Sequence, residues 1–410
     1  MTKKIVIISS GQPSANPRLL KEAIALHKSG FKIVVIYCPL SPWADEYDKK
    51  IFSLYSEIEW VKVGYHPVYK KWENRIARIR QKFFYFLYTI LGNRYDAAIK
   101  SLVLFSQELI YVAKRQNADL YIGHNLGALP AVVIAAKYNN AKAAFDFEDF
   151  HRGEAPEESL HWKKTKLIEE KYVPFLSFAT TASPLITKEY KKILPELSIQ
   201  TINNCFPLDY VITEISLLPK LPLKLFWFSQ TIGQYRGLET VIEAMGKMES
   251  GKVELSLLGN CTIGMKNYLY SVAKNNGLDV KCLIFLQPVE EKEIVAIASQ
   301  HHIGLACEMP YVLNRDLCLT NKVFLYLPAG NAVVFSDTCA QALFLYEYPG
   351  IGVVYKQNDA EQLALLLKNY INDPALLHQH RTASLKLSKH HMNWETEQKV
   401  LLQKIAEFLK

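Results

Sequence analysis

Short, uninterrupted apolar runs alternate with helical stretches along nearly the whole chain, and that alternation constrains the fold more than any other feature. A strand that is apolar on both faces is covered on both faces, as in a parallel sheet flanked by helices. In the first half, Lys4–Ser9, Lys32–Tyr37, Ile58–Val63, Leu120–Gly123, Ala143–Phe147 and Phe178–Ala182 read as strands. Asn16–Ser29, Ser101–Gln116 and Leu129–Tyr138 read as helices. The pattern stops at Glu214–Pro222, whose two prolines mark a linker. It restarts with strands Leu223–Phe228, Val253–Leu258, Lys281–Leu286, Ile303–Ala306, Ala332–Phe335 and Gly352–Tyr355. Helices Leu238–Met248, Met265–Asn276, Glu290–Gln300, Val323–Leu327, Ala360–Asn372, Pro374–Lys389 and Asn393–Lys410 lie between and after them. The expectation is an α/β chain with two Rossmann-like domains, 1–213 and 223–390, and a closing helix over 391–410. Ligands in such folds bind at the carboxyl ends of the strands, so two domains in series predict a cleft between two such ends.

A length of 410 residues suits two domains, and half of them are apolar, enough for two cores. The seven cysteines are scattered without metal spacing, as expected of reduced core thiols in the cytosol. The apolar run after Met1–Lys4 breaks at Ser9-Ser10-Gly11, so it reads as a first strand rather than a leader. No apolar stretch reaches the length of a membrane span. Neither GxGxxG nor GxxxxGK[ST] occurs, which weighs against a dinucleotide dehydrogenase or a P-loop NTPase.

The segment Cys318–Asp337 is a helix–strand step with polar groups at the helix start. Thr320 or Asn321 is placed to cap the helix, and the free N–H groups with Lys322 favour an anion. An ordinary capped helix carrying a lysine fits the same residues. After Leu223–Phe228, Ser229 and Thr231 offer hydroxyls, Gly233 permits a tight turn, and Arg236 opens a helix where it suits a diphosphate. Gly259-Asn260 ends the next strand, and the glycine admits a close ligand. Glu308 follows Ile303–Ala306 and, with Asn314 and Arg315, forms a polar loop expected to face the ligand. In the first half, His124, Asp146, Glu148 and Asp149 sit at or past strand ends, and Gly11 opens the first crossover. Each of these also reads as an ordinary loop or core residue.

These pieces, in this order, resemble the GT-B glycosyltransferases, especially family 4 of bacterial type. Thr320-Asn321-Lys322, Tyr326, Ala329-Gly330, Val333-Val334 and Ser336-Asp337 match the family's donor segment, and Arg236 falls where it has a phosphate-binding lysine. His124, Asp146, Glu148 and Asp149 match its "H…DxHE" layout. Two positions depart: Leu325 stands where a glutamate is common, and Gln230-Thr231 where an arginine is. The resemblance implies transfer of a hexose from a nucleotide sugar to a glycan or lipid-linked acceptor, retaining, without metal or cofactor. It places Ser229, Thr231, Gly233, Arg236, Gly259, Asn260, Glu308, Thr320, Asn321 and Lys322 at the donor. Gly11 and Asp149 fall on the acceptor side, with His124, Asp146 and Glu148 catalytic. It also implies that the last helix crosses back to the first domain. A nucleotide-sugar epimerase on the same fold and a non-catalytic sugar-binding protein remain as alternatives.

Tyr69–Lys100 carries eight Lys/Arg against two acids and a run of aromatics. It suits an anionic membrane surface at the inner face, where a cytoplasmic enzyme meets lipid-linked acceptors. A core helix with a solvated basic start fits equally. No nucleic-acid motif accompanies the charge.

Overall fold

The computed structural model describes residues 2–215 and 221–409; within the expected linker Glu214–Pro222, positions 216–220 lie outside the described residues. The chain divides into two compact units. Unit 1 comprises Met1–Ile202, Val312–Asn314 and Gln398–Lys410; unit 2 comprises Asn203–Tyr311 and Arg315–Glu397.

Unit 1 is built on seven parallel strands: β1 (Lys4–Ser9), β2 (Lys32–Tyr37), β3 (Glu59–Lys62), β4 (Leu120–His124), β5 (Lys142–Phe147), β6 (Phe178–Thr181) and β7 (Ile199–Thr201). Their order is β3-β2-β1-β4-β5-β6-β7, so the sheet reverses direction of growth beside β1. Its central strands are sealed on both faces, with Ile5, Val6, Ile7 and Ile8 fully buried, as continuous apolar runs require. The first crossover helix, Pro17–Lys28, starts on Pro17 and is capped by Asn16, whose side chain accepts the Leu19 N–H at 3.0 Å. The expected helix Ser101–Gln116 begins only at Ser106. Ser101 instead closes a short helix, Ala97–Lys100, and the Ser106 hydroxyl bonds both backbone groups of Val103, turning the chain between the two.

Unit 2 carries six parallel strands: β8 (Leu223–Thr231), β9 (Val253–Asn260), β10 (Leu283–Leu286), β11 (Ile303–Ala306), β12 (Ala332–Ser336) and β13 (Gly352–Tyr355). The order β10-β9-β8-β11-β12-β13 reverses beside β8. Its core joins Leu225, Trp227, Leu255, Leu257, Leu305 and Val334 to the flanking helices. β8 and β9 run further than the apolar pattern suggests, and their pairing shifts register between Phe228 and Thr231. Such a bulge turns the end of a strand and re-aims its side chains. Each reversal leaves a crevice at the carboxyl ends of the strands, the usual ligand position in such sheets.

Candidate functional site

In unit 1 the register lines up Ser9 with His124, His124 with Asp146, and Asp146 with Thr180 across β1, β4, β5 and β6. This row crosses the sheet at its carboxyl edge, beside the reversal. Helix Pro17–Lys28 lays Arg18 and Glu22, one turn apart, over the row. His124 Nε2 lies 2.6 Å from Glu22 Oε2, and Nδ1 lies 3.0 Å from Glu148 Oε1. Asp146 Oδ2 is 3.5 Å from the same Nδ1. Arg18 grips Asp146 with both Nε and Nη2 at 2.7 Å and donates a third bond to the Ile202 carbonyl at 2.6 Å. Thr180 donates to Asp146 Oδ1 at 2.5 Å, and Asn16 donates to Glu148.

Burial alone would favour neutral imidazole, but hydrogen bonds to Glu148 and Glu22 outweigh it and push His124 up to about 10. Burial likewise opposes ionised Asp146, yet Arg18 holds its carboxyl down to about 2. His124 is therefore an imidazolium with both nitrogens engaged, and Asp146 a carboxylate clamped on both oxygens. Neither has the idle proton site that a general base or a sugar-hydroxyl contact needs. Glu148 is different: its side chain keeps 20% of its surface open. The candidate ligand atoms of His124, Asp146 and Glu148 lie within 4.8 Å of one another. Arg18 and the imidazolium already supply this cluster with positive charge. Asp149 accepts from Asn314 Nδ2 at 2.7 Å, and Asn314 accepts the Phe150 N–H, so Asn314 belongs with this unit. Gly11 lies in the loop after β1, its N–H held by the Ser9 hydroxyl at 3.1 Å. Arg18, Glu22 and Asn16 were not singled out from the sequence. Their only signal was polar residues at helical spacing straight after the first strand.

In unit 2 the polar cluster gathers at the ends of β8 and β11. Glu308 is 3% exposed, with Lys322 Nζ at 2.7 Å from Oε1 and Arg315 at 3.9 Å from Oε2. Burial would raise its pKa, but Lys322, then Arg315 and Arg236, outweigh this and lower it. Lys322 also lies over the Trp227 ring, 5.2 Å from its centroid. Lys322 is buried inside the first turn of helix Asn321–Tyr326, which starts two residues earlier than the apolar pattern suggests. Thr320 stands at the N-cap but makes no capping bond, and its buried hydroxyl has no partner. Asn321 accepts from Asn204 at 2.7 Å instead of capping. Leu325 is fully buried, so the position where the family often has glutamate faces the core.

Glycines set the loops. Gly237, at φ +73°, brings its backbone against Cys307; an added Cβ would lie 2.5 Å from the Cys307 carbonyl oxygen. This draws the loop bearing Arg236 to the end of β11. Gly259, at φ +149°, leaves no room for a Cβ beside the Ser229 carbonyl, 2.1 Å away. Ser229 and Gly233 are half-buried, while Thr231 and Asn260 are exposed. Asn260 donates to the Gln230 carbonyl at 3.1 Å, fastening the bulged end of β8. The seven thiols are free, and Cys38, Cys205, Cys307 and Cys318 are buried as core thiols, while Cys261 and Cys282 are partly covered and Cys339 is exposed. Burial pushes the Cys307 thiol up to about 12.

No family model matches the chain, and no curated protein matches it. Solved structures do. The HepE protein of Anabaena in complex with UDP matches with a TM-score of 0.71 at 14% identity, covering 99% of this chain and 100% of that one. A glycosyltransferase from Rickettsia africae matches at 0.69 and 12% identity, covering 100% and 99%. Sucrose-phosphate synthase from Thermosynechococcus elongatus matches at 0.70 and 12% identity, covering 99% and 98%. HepE has also been solved with UDP-glucose. The likeness fixes the architecture: this chain has the GT-B fold that its motifs resemble.

Proposed function

We propose that this chain is a glycosyltransferase that moves a sugar from a nucleotide-sugar donor to a glycan or lipid-linked acceptor. Unit 2 holds the donor and unit 1 the acceptor. One observation carries the reading. Lys322, Arg315 and Arg236 all act on one buried carboxylate, Glu308, beside the sheet reversal of unit 2. Lys322 and Arg236 thus bring cationic groups to the ends of β8 and β11, where such sheets bind ligands. Cationic groups there suit a nucleoside diphosphate and stabilise the charge it gains as the glycosidic bond breaks. The UDP and UDP-glucose complexes of the matching HepE structures support the same class of donor.

Glu308, held by Lys322, supplies this region with a carboxylate, where Leu325 supplies none. In unit 1, Glu148 is the partly open carboxylate, and it receives the acceptor hydroxyl's hydrogen bond. His124, Asp146 and Arg18 position it. The motif resemblance adds a retaining, metal-independent hexosyl transfer. In that transfer the bond from the sugar to the diphosphate breaks, a bond to the acceptor oxygen forms, and the acceptor proton leaves with the diphosphate.

The test is a thermal-shift screen with UDP-, GDP-, ADP- and dTDP-sugars, followed by product analysis with and without acceptor. One nucleotide class should raise the Tm. Arg236→Ala should weaken its binding by about 1.5–3 kcal/mol, the scale of a charged hydrogen bond. A shift that survives Arg236→Ala unchanged would show that the donor lies elsewhere. Turnover of donor to an isomer without acceptor would make the chain an epimerase instead.

A further inference from the structure

Helix Lys71–Leu91 has 21 residues and spans roughly 30 Å at the usual helical rise. Its inward face holds Asn74, Ala77 and Tyr88, all buried, and Arg80, which bonds Glu108 at 2.6 Å. The opposite face carries a second apolar stripe with nothing over it. Trp72, Ile76, Ile79, Phe83, Phe86 and Ile90 follow one another in steps of four and three, and all are 55–73% exposed. That spacing puts the six on one line along the helix. Exposed apolar residues are ordinary when scattered, but a contiguous row of this length marks an interaction surface.

The charges choose the occupant. Lys71, Arg75, Arg78 and Lys82, all exposed, repeat the same steps of four and three and so form a row beside the stripe. A second copy of this helix is disfavoured. An antiparallel pair would set the basic row against itself. An anionic surface takes both rows at once: phosphates meet the basic row and the acyl boundary receives the rings. Among the described residues no helix is long and apolar enough to cross a membrane. The fitting geometry is a helix lying in the plane of the headgroups.

We propose that helix Lys71–Leu91 is a docking surface for an anionic lipid membrane, with the Trp72–Ile90 stripe inserted and the Lys71–Lys82 row on the headgroups. This goes beyond the basic-segment reading of the sequence. Insertion holds the protein and charge selects the lipid. Arg80 takes no part, because it is committed to Glu108. The inference rests on unit 1 alone and is independent of the donor assignment.

The experiment is co-sedimentation of the full chain with vesicles of phosphatidylcholine, with and without phosphatidylglycerol, at low and high salt. The parent should bind the anionic vesicles, and high salt should weaken the binding several-fold without abolishing it. Phe83→Ser with Phe86→Ser should reduce binding by at least about tenfold, the scale of one buried aromatic ring. Both residues are exposed, so an unchanged melting temperature shows that the variant folds. Arg78→Gln with Lys82→Gln should weaken binding to anionic vesicles and leave neutral ones unaffected. A parent that ignores anionic vesicles at low salt overturns the proposal, as does a Ser variant that binds like the parent. A parent that forms dimers lost in the Ser variant, without binding vesicles, gives the face to a second copy and overturns it equally.

Discussion

His124 shows how far the chemistry of a single residue departs from what its neighbours in sequence suggest. Gly123-His124-Asn125 looks like a histidine just past a strand, free to meet a ligand. The residue is instead the last of β4 and is locked between carboxylates. The sequence shows His124, Asp146 and Glu148 as polar residues near strand ends. It does not show that Arg18 and Glu22 reach them across more than 100 residues, because that contact depends on strand order. The cluster has a pH signature. His124 is raised from 6.5 to about 10, so its contribution to stability is complete below pH 6.5 and is lost as pH rises through about 10. Asp146 is lowered from 3.8 to about 2, so its contribution is complete above pH 3.8 and is lost as pH falls through about 2. The cluster is strongest between those limits. The unfolding free energy from urea titrations should decline above pH 6.5 by on the order of 1 kcal/mol per pH unit for each such histidine, and His124→Gln should remove its share, leaving that of His151, raised to about 9. Titrating the histidine ring signals by NMR checks the same point without a variant; a buried imidazole that titrates near 6.5 would contradict the assignment. Arg18→Met takes the bidentate partner from buried Asp146 and leaves it only Thr180 and His124. It should lower stability by about 3–5 kcal/mol in denaturant titrations.

Among elements, strands were the more legible. Ile303–Ala306 lies where the apolar run places it, because a strand buried on both faces has no polar residue to blur its ends. β7 was missed, since three residues at a sheet edge leave almost no pattern. Helix Leu160–Tyr172 is hard to see because its buried face includes Lys164, Thr165 and Glu169, so the apolar period is faint. At the donor segment the helix starts two residues before its apolar run, which takes Lys322 into the first turn, where it is buried. The extension of β8 and β9 past their apolar cores is likewise invisible in composition. It depends on Gly259, where the added Cβ of an alanine would strike the Ser229 carbonyl. Gly259→Ala should therefore cost on the order of 1–3 kcal/mol in thermal denaturation and loosen the bulged end of β8. Gly251→Ala is a control for backbone strain alone: it shares a positive φ but meets open space.

For the whole molecule, the alternation of runs and the order of motifs were enough to foresee two parallel α/β units and the GT-B architecture. The chemistry of the two clusters was not, because charge pairing depends on folded distances. The division into units has a thermodynamic consequence. A chain of two cores need not unfold in one step, and a ligand stabilises only the unit that binds it. Scanning calorimetry with the matching nucleotide should move one transition upward. At a hundredfold excess over Kd the gain is about 2.7 kcal/mol, and Arg236→Ala should remove most of it. The last helix, Trp394–Phe408, adds a constraint of another kind. Its residues from Gln398 onward belong to unit 1, where Phe408 stacks on Phe178 at 4.8 Å and Lys404 bonds Ser198. Synthesis therefore runs out of step with assembly. Unit 1 is translated first, yet it waits through all of unit 2 for the piece that covers Phe178. Until then the ribosome carries a nearly finished domain with an apolar surface bare, a state that invites chaperones and is prone to misassembly.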